Sequence, residues 1–182
     1  MTYTYEQQAF ADARLGYGYG AETGRARLAR LRRLRPRADR PDRLDVSPLA
    51  ESWQASALLR RLGLVKADGT PADDYRVERA AAALGALALI DTRTATHPAR
   101  ALRDEMSEDR FTRLLRMETP TEVLANGRRM ARMLGGVADP GTLGADLYRW
   151  GPAVRTRWAF LYHGHERDLP DAVRPGRDGD ER

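Results

Sequence analysis

Apolar side chains recur along the chain at spacings of three and four, and no run alternates with period two for long enough to make a strand, a pattern of amphipathic helices. Punctuation residues set the bounds. Ser47-Pro48 pairs a cap with a first-turn proline and Gly63 follows the last periodic residue, predicting a helix from Pro48 to Leu62. Thr119-Pro120-Thr121-Glu122 is a full capping box that opens a helix ending at Gly135-Gly136. Asp139-Pro140 starts another, closed by Gly151, and Pro152 opens one that runs to Tyr162. Less sharply bounded helices are predicted over Tyr5 to Arg14, Gly24 to Leu34, Asp74 to Asp91 with Asp73-Asp74 as its cap, a short stretch after Pro98, and Ser107 to Met117. The sum is about nine helices on short connections.

Two stretches read as loops: Pro36 to Pro48, with three prolines and six charges, and Thr92 to Pro98, which has no large apolar side chain. The second divides the chain into an N-terminal helical bundle over 1–96 and a C-terminal one over 97–165. From Glu166 on, the chain is rich in Pro, Gly and Asp and nearly lacks large apolar groups, so 166–182 is expected to be a disordered tail. No period of 20 to 50 residues repeats, against a solenoid.

Composition strengthens the fold class. Alanine (28), leucine (22) and arginine (30) make 80 of 182 residues, while valine and isoleucine total eight. The first three are strong helix formers and the last two favour strands, so the protein is expected to be all-α. The lack of cysteine excludes disulfides, thiol nucleophiles and thiolate metal sites. Met1 to Arg14 lacks the basic-then-apolar order of a signal peptide. The longest nearly apolar run, Ala80 to Ile90, is 11 residues, short of the ~20 that span a bilayer. A cytoplasmic protein is the expectation.

Thirty arginines stand against one lysine, Lys66, at a net charge of +5. A GC-rich genome alone produces such a ratio, so placement is more informative than number. Gly24 to Arg43 holds nine arginines and two aspartates; Leu28, Leu31 and Leu34 mark the buried stripe and Arg27, Arg30 and Arg33 the opposite side. Arg110 to Arg132 holds six arginines and two glutamates. There Val123, Leu124, Met130 and Leu134 share one face at 100° per residue, and Arg128, Arg129 and Arg132 the other. In the preceding helix Phe111, Leu114 and Leu115 point inward, Arg113 and Arg116 outward. A third set, Arg149, Arg155 and Arg157, lies beside Trp150 and Trp158, which are assigned to the core. Arginine holds phosphate by charge, without sequence information, so such surfaces suit binding of strands irrespective of their bases.

Catalytic signals are few. His163-Gly164-His165-Glu166 is a possible metal set, with His97 as its only partner histidine. Gly16, Gly18 and Gly20, with Tyr17 and Tyr19 between them, make no dinucleotide fingerprint because no strand precedes them. Ser47, Ser52, Ser56 and Ser107 have no histidine in a recognisable activating motif. No catalytic residue, cofactor or metal is assigned.

Arg25-Ala26-Arg27-Leu28-Ala29-Arg30-Leu31-Arg32-Arg33, then Arg110-Phe111 through Leu114-Leu115-Arg116, Asp146-Leu147-Tyr148-Arg149-Trp150, and Val154-Arg155-Thr156-Arg157-Trp158-Ala159 through Tyr162 follow one another in order. This set, within residues 5 to 163, resembles the CasB family, the small subunit of the type I-E CRISPR surveillance complex, Cascade. The resemblance implies two helical bundles, two copies per complex, no catalytic activity, and partners among the other Cascade subunits, the guide RNA, and the target and displaced DNA strands of the R-loop. Carried onto this sequence, the DNA-contact candidates are Arg25, Arg30, Arg33, Arg113, Arg116, Arg128, Arg129, Arg132, Arg155 and Arg157, with Arg113 and Arg132 resting more on the helix-face argument. The run at 16–20 and the tail, net −2 from Gly164 on, depart from the pattern. Two other readings stay open: a helical adaptor whose arginines meet acidic protein partners, and a metal-dependent hydrolase centred on His163 and His165.

Overall fold

The computed structural model describes residues 4–16, 28–50 and 53–171. Its elements are α1 (Tyr5–Gly16), α2 (28–32), a hairpin of β1 (Arg35–Pro36) and β2 (Leu44–Asp45), α3 (Ser47–Ala50), α4 (Trp53–Arg61), α5 (Asp74–Leu87), α6 (Pro98–Ala101), α7 (Glu108–Leu115), α8 (Pro120–Met133), α9 (Pro140–Tyr148), α10 (Pro152–His163) and a closing 3-10 turn (Glu166–Asp168). The protein is all-α apart from the two-residue pairing Arg35↔Asp45 and Pro36↔Leu44. Residues 17–20 of the glycine and tyrosine run, Arg25, and the tail from 172 on lie outside the described residues.

The punctuation works as the sequence implies. At α8 the Thr119 hydroxyl accepts the Glu122 N–H while the Glu122 carboxylate accepts the Thr119 N–H, a complete capping box. Asp139 caps α9 by accepting from Thr142, and Asp73 caps α5 by accepting from Arg76 at 3.1 Å. Beyond α8 the chain leaves the helix through Gly135 and Gly136, at φ 60° and 75°, a left-handed conformation that costs glycine least.

Helix α5 organises the interior. Every residue from Val77 to Leu87 is buried, the charged Glu78 and Arg79 included, and from Ala80 on the side chains are all apolar or small. Its alanines let α8 and α9 approach closely, and α1 in turn packs along α9. Two glycines make these approaches possible. A Cβ at Gly127 would fall 2.9 Å from the Ala86 Cβ, and one at Gly144 would fall 2.6 Å from Phe10 Cγ.

Two details differ from the expectations. The charged loop after Pro36 folds back as the β1/β2 hairpin, because buried Glu78 of α5 accepts from the Leu44 N–H at 3.1 Å and from Arg43 Nε at 2.7 Å. Helix α5 stops at Leu87 rather than Asp91: the guanidinium of Arg14 takes the Leu87 and Ile90 carbonyls and that of Arg32 takes Ala88. Helix α5 packs on α8 and α1 on α9, and the buried apolar residues of these helices belong to one core.

Candidate nucleic-acid interface

The α7–α8 pair carries the basic surface. In α7, Phe111 and Leu114 are buried, and the Phe111 ring stacks on Tyr162 of α10 at 3.8 Å. That contact fixes the rotation of α7 and leaves Arg110, Arg113 and Arg116 exposed. In α8, Val123, Leu124, Gly127, Met130 and Ala131 face the core while Arg129 and Arg132 are exposed. Between the helices runs a groove of about 340 Å³, lined by Met106, Arg110, Arg113, Leu114, Asn126, Arg129 and Met133. Among the described residues no acidic side chain lines it, although exposed Glu108 and Asp109 directly precede Arg110. Glu122 is used at the N-terminus of α8. There Glu122 accepts the Thr119 and Glu118 N–H groups, which hold its carboxyl below the usual carboxylate range.

Arg128 does not share the outward face expected for it. It is half-buried, and its guanidinium donates to the Leu34 carbonyl at 3.0 Å, to Leu31 at 3.0 Å and to Arg32 at 2.9 Å. These carbonyls lie in the last turn of α2 and just beyond it, where helical pairing runs out. Burial, with the neighbouring Arg132 charge adding, lowers the Arg128 pKa from its ordinary value. Arg128 therefore joins α8 to the end of α2, whereas Arg129 and Arg132 remain exposed.

Arg157 is likewise engaged. It pairs with buried Asp146 of α9, whose second oxygen accepts from Trp158 Nε1 at 2.6 Å and lies 3.3 Å from His97 Nε2. Burial pushes the Asp146 carboxyl up, but His97, the Arg157 charge and the Trp158 hydrogen bond outweigh it, leaving the pKa below the usual value. Arg155 is half-buried, 4.0 Å from Glu118. Arg30 is half-buried and Arg33 is exposed on α2 and just beyond it. Trp150 and Trp158 are buried and meet edge to face at 5.0 Å.

His97 has a structural position. Its Nδ1 accepts the Ala99 N–H at 3.1 Å as the cap of α6, while His163 and His165 are exposed at the far end of α10. Among the described residues no group of three or more His, Cys, Asp or Glu is placed to hold a metal, and no helix is long and apolar enough to cross a membrane.

The residue-by-residue reading did not select Arg110 or Asn126. The signal was present, since Met106, Arg110 and Arg113 recur at spacings of four and three, as do Asn126, Arg129 and Met133. Both series line the groove.

The sequence model of the family described as CRISPR-associated protein Cse2 matches residues 24–163, which contain α2 through α10. The chain belongs to that family. Cse2, or CasB, is the small, structural subunit of type I-E Cascade, so the protein is a Cascade subunit. Comparisons with curated proteins and with solved structures give no match.

Proposed function

We propose that this Cse2 subunit holds the target and displaced DNA strands of the R-loop by charge, without reading their bases and without catalysing a reaction. The observation that carries the reading is the exposed set Arg110, Arg113, Arg116, Arg129 and Arg132 on two adjacent helices, around a groove with no acidic lining. Arginines at such spacing repel one another, and a polyphosphate chain relieves that repulsion while releasing its own counterions. The exchange of a DNA duplex for a guide–target heteroduplex is close to balanced, so backbone contacts of modest strength decide how long the opened state lasts. Arg33, exposed beyond α2, extends the basic surface, whereas Arg128 ties α8 to the end of α2 and Arg157 is taken up by Asp146. The protein works in the cytoplasm as two copies within the assembled ribonucleoprotein.

The test uses Cascade assembled with a guide RNA. Arg113→Ala, Arg129→Ala and Arg132→Ala together should leave assembly intact, because these side chains are exposed, and shorten the R-loop lifetime by about tenfold or more. An unchanged lifetime in an assembled complex overturns the reading.

A further inference from the structure

Phosphate binding does not use the apolar part of the α7–α8 groove. Met106 and Leu114 are buried and Met133 half-buried, and all three line the space between exposed Arg110, Arg113 and Arg129. A phosphate gains nothing from thioether and leucine carbons. A nucleobase does: its faces are apolar and aromatic, methionine sulfur makes favourable contacts with aromatic rings, and guanidinium planes stack on bases. At about 340 Å³ the groove lies in the range of small-ligand sites, ~300–1,000 Å³.

Asn126 supplies the second observation. Asparagine is a poor helix former, yet it sits in the interior of α8, at the groove. Its Nδ2 donates to the Glu122 carbonyl at 3.0 Å, and among the described residues its Oδ1 accepts no hydrogen bond. A carboxamide presented in this way offers an acceptor and a remaining donor to the edge of a base. Duplex DNA keeps its bases paired inside, so only a single strand can present one sideways.

We propose that the α7–α8 groove receives one outward-turned base of single-stranded DNA, with Asn126 at the base edge and the flanking phosphates on Arg110, Arg113 and Arg129. The inference rests on the strand-holding reading and adds to it a preference for single strands that charge alone does not give.

Two single strands of about ten nucleotides, identical in length and charge, separate the two claims: one of thymidine and one in which every base is removed. With the full chain, the thymidine strand should bind about tenfold more tightly than the abasic strand. Asn126→Ala removes the carboxamide, places a better helix former in α8 and leaves the charge unchanged; it should shrink that difference severalfold without altering affinity for the abasic strand. Equal affinity of the native chain for both strands overturns the groove inference and leaves strand holding standing, as does an undiminished preference in Asn126→Ala. If neither strand binds, the strand-holding reading falls and the groove inference with it.

Discussion

A guanidinium satisfies a helix end as readily as a phosphate, because its planar fork of donors meets carbonyl and phosphate oxygens alike. In this protein arginines do the first job at several places. Arg14 and Arg32 take the carbonyls at the end of α5, Arg79 takes the Trp150 carbonyl at 3.1 Å, and Arg128 takes three at the end of α2. A helical wheel registers only the angle of a side chain, so Arg128 and Arg129 look alike in sequence; what separates them is that α2 returns to lie against α8. Arg128→Ala leaves three carbonyls without their charged donor and should lower stability by about 2 kcal/mol, with Arg128→Lys recovering only part, since an ammonium does not span the three acceptors. Arg129→Ala should stay within about 0.5 kcal/mol of the native protein. Thermal or urea denaturation of the three variants checks the contrast, and equal stability of the two alanine variants would remove the capping role.

Helix starts were legible because each is decided by a few adjacent residues: Thr119 to Glu122, Asp139-Pro140 and Pro152 open helices where their local chemistry implies. Less was legible wherever the deciding partner is distant in sequence. The end of α5 depends on Arg14, more than seventy residues earlier, and the β1/β2 hairpin depends on Glu78. The junction of α6, α9 and α10 is the strongest such case, with Asp146 of α9 meeting His97 at the start of α6 and Arg157 and Trp158 of α10. In sequence Asp146 gave no sign beyond its place in the resemblance, because a carboxylate between Ala145 and Leu147 reads equally well as exposed. Asp146→Asn removes the charge but keeps the volume, leaving half-buried Arg157 without its counter-ion, and should cost up to about 3 kcal/mol at neutral pH. The direction with pH follows from the lowered carboxyl. A group whose folded pKa lies below its unfolded value stabilises fully above the unfolded value, about 3.9 for aspartate, and loses that contribution as pH falls through the folded value. Chemical denaturation from neutral pH to below about pH 4 should therefore show a steeper acid loss in the native protein than in Asp146→Asn. Parallel curves would exclude Asp146 as a source of acid sensitivity.

At the scale of the molecule, some arginines among the described residues are held inside the fold while others project into solvent. The net charge of +5 is too small to attract DNA from every side, so the proposed strand binding requires local surfaces. Arg14, Arg128 and Arg157 are held by carbonyls or by a buried carboxylate, while Arg110, Arg113, Arg129 and Arg132 project from α7 and α8. The sequence showed where basic residues cluster, but which of them are engaged inside the protein required the packing of α2 on α8 and of α10 on α9. Salt dependence converts this division into a measurement. Each phosphate neutralised on a single strand contributes about −0.7 to the slope of log affinity against log salt, so the five exposed arginines of the proposed surface, Arg110, Arg113, Arg116, Arg129 and Arg132, give a slope of about −3.5. Replacing Arg113, Arg129 and Arg132 by alanine should bring that slope to about −1.4. Arg128→Lys, folded but weakened at its cap, should keep the native slope, because its charge faces carbonyls of α2 and meets no phosphate. A titration of single-stranded DNA at several salt concentrations distinguishes the two populations. A slope that drops with Arg128→Lys as much as with the projecting residues would mean that the cap opens on binding and that the division drawn from the unbound chain does not persist in the complex.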